Sequence, residues 1–151
     1  MNQQRPIGPN LLVADQPTEE DLEALKREGY AGVVNLRHDG EPDQPLDTKA
    51  EGAKVRALGM DYLNQPVGGA PLTEAGVEAV GAFLKAHEGQ KVLVHCRKGQ
   101  RAAALVLLNK ALAERWSPAE AIAKGRALGL EVEGNLRMMV EAYLHDHQSN
   151  P

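Results

Sequence analysis

The stretch VLVHCRKGQRAAAL, residues 92 to 105, contains the single cysteine of the chain. Cys96 follows an apolar run and precedes an alanine-rich run, with Arg97, Lys98 and Arg101 beside it. A thiol among cations ionises readily, and the thiolate is the nucleophilic form of cysteine. A lone cysteine can equally fill a core position as a small apolar side chain. The elements around Cys96 decide between these two interpretations.

The apolar pattern around Cys96 predicts a strand over residues 91–96 and a buried helix over residues 101–114. Ligands of open α/β sheets bind at the carboxyl ends of strands. A loop that enters a helix directs backbone N–H groups and the helix dipole at one point, which favours an anion. Gly99 permits a tight turn there, and Arg101 can hold two oxygens of one anion. We therefore predict that Cys96 is a nucleophile for phosphoryl or sulfur transfer.

Strands and helices alternate along the rest of the chain. Strands are predicted at residues 11–14, 31–37, 60–67 and 91–96. Helices are predicted at residues 16–30, 48–59, 73–87, 101–114, 117–128 and 135–147. This order predicts an α/β fold with a central, mostly parallel sheet of about four to five strands and helices on both faces. A chain of 151 residues suits a single domain over residues 1–151.

Composition argues against several classes of protein. A net charge of −4 and a pI of about 5.7, without a basic arm, argue against nucleic-acid binding. The longest apolar run, AAALVLL, is too short to cross a bilayer, and residues 1–10 lack the apolar core of a signal peptide. His145 and His147 fall on different sides of a predicted helix, so we expect no metal there. We expect a cytoplasmic protein without a cofactor or membrane contact. The sequence does not decide between a monomer and a homodimer.

Two stretches resemble a known family. The VHC…G…R pattern that enters a helix resembles the signature loop of cysteine-dependent protein phosphatases. The stretch LLVADQPTEEDLEALKREGYAGVVNLRHDGEPDQP resembles the opening of the phosphatase-like domain of beta-lactamase-hydrolase-like proteins, a dual-specificity-phosphatase-like family. In that family a QPT…DL helix precedes a VINLR.DGE strand and loop. The similarity runs from about Gly8 to about Arg115 and implies a cysteine-phosphatase-like fold.

The resemblance also implies roles for particular residues. Cys96 becomes the nucleophile and Arg101 the anion-binding arginine, with His95 behind the cysteine as support for the thiolate. Asp39, as a catalytic carboxylate, and Glu41, in support, are expected to face the same pocket. From residue type alone, a solvated turn is the favoured interpretation of the loop that holds them, and the resemblance makes the two interpretations equal. The expected anion cradle consists of Arg97, Lys98, Gly99, Gln100 and Arg101.

Three departures from the phosphatase pattern leave the chemistry open. Four residues separate Cys96 from Arg101, where phosphatases have five, and Ala102 stands where they carry a hydroxyl. The loop GGAPLT after the third predicted strand has no carboxylate, and the next one, Glu74, fits the first turn of a helix. The CRKGQR loop also resembles rhodanese-type sulfurtransferases, which would form a persulfide on Cys96 and need neither acid nor hydroxyl. The substrate is thus a phosphate- or sulfur-bearing anion. Phosphatase is preferred because that match covers more of the chain, and a non-catalytic anion-binding module is the third alternative.

Overall fold

The computed structural model describes residues 1–68 and 72–148. Its strands form one sheet in the spatial order β1-β2-β5-β3-β4, in which β1 is antiparallel to β2 and the other neighbours are parallel. The strands are β1 (Arg5–Ile7), β2 (Leu11–Ala14), β3 (Tyr30–Asn35), β4 (Asp61–Asn64) and β5 (Lys91–His95). The helices are α1 (Glu19–Arg27), α2 (Thr48–Ala57), α3 (Glu74–Ala86), α4 (Gln100–Glu114), α5 (Pro118–Leu128) and α6 (Gly134–Gln148). The predicted α/β class is confirmed.

Helices cover both faces of the sheet, as predicted. Because side chains alternate along a strand, Leu93 points to the face covered by α1 and α2, and Val92 and Val94 point to the opposite face. Helix α4 occupies the centre of that second face and packs against β2, β5 and the other three helices there. Its residues 102–108 are all buried, which confirms the prediction of a buried helix.

The four strands located from the sequence are present, but β1 was not predicted. It has three residues, contains Pro6, and is mostly exposed at the edge of the sheet beside β2. Proline cannot donate to a ladder, so edge strands are where it is tolerated, and so short a segment shows no alternation to detect. Boundaries also shift by a few residues. Tyr30 begins β3 rather than ending α1, because Gly29 at φ 87° ends the helix.

Helix α4 begins differently from four of the other helices. The helices α1, α2, α3 and α5 each have a side-chain N-cap, from Thr18, Asp47, Thr73 and Ser117 respectively. At the start of α4 stands Gly99, at φ 94°, with no side-chain cap bond. The first-turn N–H groups of a helix have no partners within it, so those of α4 remain available to a ligand.

Candidate active site

Cys96 lies at the carboxyl end of the central strand β5. Its backbone N–H donates to the carbonyl oxygen of Ala14 at 3.3 Å, and its side chain is buried. The N–H of Gly99 donates to Sγ at 3.1 Å, so the loop folds back over the sulfur. A Cβ on Gly99 would approach Ala14 no closer than an ordinary 3.5 Å. The positive φ, rather than lack of space, therefore favours glycine here.

Arg101 is held beside the Cys96 loop by Glu41 and Val67. Its guanidinium binds both carboxylate oxygens of Glu41, at 2.7 and 2.9 Å, and donates to the carbonyl oxygen of Val67 at 2.9 Å. The pKa of Arg101 is raised by the bond to Glu41 and, against the effect of burial, by interaction with Cys96. Three of the predicted residues, Cys96, Arg101 and Glu41, therefore meet at one place.

Glu41 is ionised in this arrangement. The hydrogen bonds from Arg101 lower its pKa to about 2, although partial burial opposes the shift. The backbone N–H of His38 donates to the same carboxylate at 2.7 Å and adds to the effect. A carboxylate with so low a pKa carries no proton to donate at neutral pH, so its chemistry here is to orient Arg101.

Arg37 holds the loop that carries Glu41, and sequence reasoning missed it. The side chain is fully buried, and its guanidinium donates to Glu41 at 3.2 Å and to the carbonyl oxygens of Pro42 and Asp43. A buried guanidinium requires several acceptors, and this loop wraps around it to supply them. The signal in the sequence was an arginine that ends the mostly apolar run VVNLR.

The other carboxylates of this loop have different partners. Asp39 accepts from the backbone N–H of Thr48 at 2.7 Å and from its hydroxyl at 3.1 Å, at the start of α2. Asp43 pairs with Arg97 at 2.8 Å, which lowers the pKa of Asp43. The structure therefore brings Glu41 to Arg101 and holds Asp39 at Thr48.

A buried, hydrogen-bonded pair of side chains lies behind the cysteine. His95 Nε2 lies 2.7 Å from Glu51 Oε2, and both side chains are almost completely inaccessible to solvent. His95 Nδ1 lies 3.4 Å from the carbonyl oxygen of Cys96. Burial alone would raise the pKa of Glu51. The electrostatic interaction and the hydrogen bond with His95 outweigh burial and lower that pKa. His95 was predicted to lie behind Cys96. Glu51 was not predicted, because α2 shows little amphipathic pattern.

The remaining predicted residues lie around the loop. Lys98 and Gln100 are exposed, and with Gly99 they line a cleft of about 260 Å³ bounded on its far side by β1 and the segment before α6. Glu74 is exposed in the first turn of α3. Among residues 1–68 and 72–148, no group of three His, Cys, Asp or Glu side chains is arranged to hold a metal ion. Of the predicted loop at residues 68–72, residues 69–71 lie outside the described part.

The fold is that of the cysteine phosphatases. Tk-PTP in the active form aligns over 96% of this chain and 97% of its own with a TM-score of 0.76 and 21% identity. PTPMT1 aligns over 97% of this chain and 96% of its own with a TM-score of 0.77 and 21% identity. At these identities the likeness concerns the fold.

The chain belongs to the family described as beta-lactamase hydrolase-like protein, phosphatase-like domain, which it matches over residues 3–113. The beta-lactamase hydrolase-like protein of Xylella fastidiosa (strain Temecula1) is 37% identical over 127 residues, which are 83% of this chain and 29% of that protein. The protein of the same name from Agrobacterium fabrum (strain C58) is 35% identical over the same shares. This chain thus spans under a third of the length of these relatives. A DUF442 protein of Shewanella putrefaciens CN-32, assigned as a phosphatase, has 28% identity and a TM-score of 0.76, covering 97% of this chain and 88% of its own.

Helix length and hydropathy test the expectation that no segment of the chain crosses a membrane. In the described part of the chain, no helix has both the length and the apolar character needed to cross a bilayer.

Proposed function

We propose that the chain is a cysteine-dependent phosphatase of the tyrosine or dual-specificity type, with Cys96 as nucleophile. One observation carries the proposal: the N–H of Gly99 donates to Cys96 Sγ at the uncapped start of α4, where Glu41 and the carbonyl oxygen of Val67 hold the guanidinium of Arg101. The free N–H groups of that turn and the fork of Arg101 can share the three oxygens of a phosphoryl group. Arg97 and Lys98 add positive potential at the entrance.

The reaction would proceed in two displacements. A sulfur lone pair of the Cys96 thiolate forms an S–P bond while the P–O bond to the leaving group breaks, and that electron pair departs with the leaving oxygen. Water then attacks phosphorus, the S–P bond breaks, and phosphate and the thiolate are released. Arg101 and the loop N–H groups stabilise the charge on the equatorial oxygens in both steps. His95, behind the cysteine, supports the thiolate.

The missing hydroxyl and acid bear on the substrate. Ala102 cannot donate a hydrogen bond to the sulfur as it leaves, and residues 68–73 contain no carboxylate. An aryl oxide, with a conjugate-acid pKa of about 10, leaves without full protonation far more readily than an alkoxide. We therefore propose aryl phosphates as the substrate class. Asp39, which accepts two hydrogen bonds from Thr48, is kept as the proposed catalytic carboxylate.

The test compares two substrates. Wild type and the Cys96→Ser variant are assayed with p-nitrophenyl phosphate and, separately, with thiosulfate and cyanide. We expect wild type to hydrolyse the phosphate ester and Cys96→Ser to lose that activity by about 10⁴-fold or more. Turnover of thiosulfate alone, with a single added sulfur on Cys96 by intact-mass analysis, would reassign the chain as a sulfurtransferase. Phosphate binding without turnover of either substrate would identify an anion-binding module.

We also propose that residues 1–151 form one phosphatase-like domain. The helices α5 and α6, which follow the family match, pack on α4 in the same core, and this supports the proposal. Limited proteolysis is expected to leave one resistant fragment that includes α5 and α6, and light scattering decides between a monomer and a homodimer. Early cleavage between α4 and α5 to a stable shorter fragment would contradict a single domain.

A further inference from the structure

Gln16, the first residue of the QPT motif, follows β2 and contacts the Cys96 loop directly. Its backbone N–H donates to the carbonyl oxygen of Arg97 at 3.3 Å. Its side-chain amide uses both ends: Nε2 donates to Glu51 at 2.9 Å and to the carbonyl oxygen of Pro17 at 3.0 Å, and Oε1 accepts from Arg37 at 2.7 Å. One amide therefore joins two buried charged groups of opposite sign.

The first branch from Gln16 leads to the sulfur. Glu51 receives the Gln16 amide on Oε1 and places Oε2 at 2.7 Å from His95 Nε2. The other nitrogen of His95 lies 3.4 Å from the carbonyl oxygen of Cys96. Both neighbours of the imidazole are acceptors. The contact with Glu51 fixes the orientation of the ring behind Cys96, where the proposed function requires support for the thiolate.

The second branch leads to the anion-binding arginine. Arg37 donates from Nη1 to Gln16 and from Nε to Glu41 at 3.2 Å. Glu41 in turn holds Arg101 by two hydrogen bonds. The orientation of the Arg101 guanidinium thus depends on the position of Arg37. The geometry of the anion site depends on it in turn.

We propose that Gln16 is a positioning residue that couples the two halves of the site: the His95–Glu51 pair that supports the thiolate, and the Arg37–Glu41–Arg101 chain that binds the anion. The coupling rests on the proposed function, since it concerns the same thiolate and the same anion site.

The junction formed by the Gln16 side chain between Glu51 and Arg37 requires an amide. A carboxylate at Glu51 needs a donor and the Arg37 guanidinium needs an acceptor, and an amide of this length supplies both. The titratable and charged groups packed around the junction are His95, Glu51, Arg37 and Tyr62. Burial, together with the nearby charge of Glu51, raises the pKa of Tyr62, so its phenol stays neutral. The local charge therefore depends on His95, Glu51 and Arg37.

The experiment measures the two halves separately. The pH profile of iodoacetamide alkylation at Cys96 reports the thiolate, and calorimetric titration with inorganic phosphate reports the anion site. We expect Gln16→Met to lower the alkylation rate at neutral pH by about tenfold, to move its pH profile upward, and to weaken phosphate binding by about tenfold. Neither readout needs turnover, so failure of the phosphatase proposal and failure of the coupling are told apart.

Variants that disturb only one of the two branches give the reference for Gln16→Met. Glu51→Gln is expected to shift alkylation while phosphate affinity stays within about twofold, and Glu41→Gln is expected to do the reverse. Gln16→Glu keeps the acceptor for Arg37 and loses the donor for Glu51, so it should shift alkylation and leave phosphate affinity within about twofold. Gln90→Met, at an exposed glutamine far from the site, is the matched control and should change neither quantity.

Two results would overturn the coupling. In the first, Gln16→Met shifts one quantity and leaves the other at the wild-type value. In the second, it lowers only the thermal unfolding midpoint, which would make Gln16 a packing residue. If Gln16→Met does not fold, Gln16→Glu decides, because a wild-type alkylation profile in that folded variant contradicts the first branch. Wild type that neither alkylates faster than a free thiol nor binds phosphate would instead refute the proposed function.

Discussion

The two faces of the sheet bury different kinds of side chain. The face covered by α3 to α6 has a large apolar core that extends from Val13 and Val34 to Leu144. The face covered by α1 and α2 has a smaller apolar core and also buries the polar residues Asn35, Glu51 and His95. Cys96 belongs to the first core, whereas the groups that support it approach from the second.

The physical reason is the cost of burying charge. An apolar core stabilises the fold with no demand on direction, but a buried ion pair is retained only where each group has partners of good geometry. The charged residues behind Cys96 therefore make a fixed arrangement possible and contribute little to net stability. This comparison predicts that substitutions on the apolar face change stability, and those in the charged arrangement change activity.

The largest expected effect is at the end of the charged arrangement. Arg101→Met removes the guanidinium that faces the anion, and we expect kcat/KM for p-nitrophenyl phosphate to fall by about 10³-fold, or ~4 kcal/mol. Arg27→Met, at an exposed arginine of α1, is the matched control and should stay within about twofold. A fall of less than threefold in Arg101→Met would show that the loop N–H groups alone bind the anion.

Leu107→Ala tests the apolar face. Leu107 is fully buried in α4, so its truncation should lower the free energy of unfolding by about 3 kcal/mol. We expect kcat/KM of the folded protein to stay within about twofold of wild type. Denaturant unfolding and steady-state kinetics on the same preparation measure both. A loss of activity without a loss of stability would break the distinction between the two faces.

Glu41→Gln should reduce kcat/KM by about 30-fold, or ~2 kcal/mol, because Arg101 loses the charge that orients it. The substitution also changes the response to acid. The pKa of Glu41 is lowered from 4.5 to about 2, so its stabilising contribution is complete above pH 4.5 and is lost as the pH falls toward 2. Wild type should therefore lose more unfolding free energy than the variant over that interval. Parallel curves for the two proteins would contradict this.

The smallest expected effect lies far from the site, at the other end of the sheet. Two hydrogen bonds of 2.7 Å, from His87 to Asp61 and to the carbonyl oxygen of Phe83, raise the pKa of His87 although burial opposes the shift. A histidine whose pKa is raised by folding stabilises the folded state fully below its ordinary pKa of 6.5. That stabilisation is lost as the pH rises through the pKa of His87 in the folded state. Because Asp61 is exposed, we expect Asp61→Asn to cost only a few tenths of a kcal/mol at pH 6 and nothing at pH 9. A loss that persists at pH 9 would assign the effect to packing.

Local and distant parts of the site differ in how well the sequence predicted them. Cys96, Gly99 and Arg101 lie within six residues of one another, and a strand, a loop and a helix are enough to bring them together. Glu41 was expected near them through the resemblance. Glu51 was missed, since its partner His95 lies 44 residues away in the sequence. Arg37 was missed although Glu41 is only four residues away, because the sequence does not show that its guanidinium is buried. Asp39 was expected in the pocket by the same resemblance, and its hydrogen bonds to Thr48 could not be read from the sequence.

The amino-acid sequence by itself determined the alternation of strands and helices, the buried character of α4 and the glycine-bearing loop that follows Cys96. These depend on periodicity and on the conformational freedom of one residue, and both are local properties. Only the tertiary structure decided which charges meet behind the cysteine. A glutamine after β2, an arginine after β3 and a glutamate in α2 come together because the parallel strands end at one edge of the sheet, and no pattern along the chain encodes that meeting.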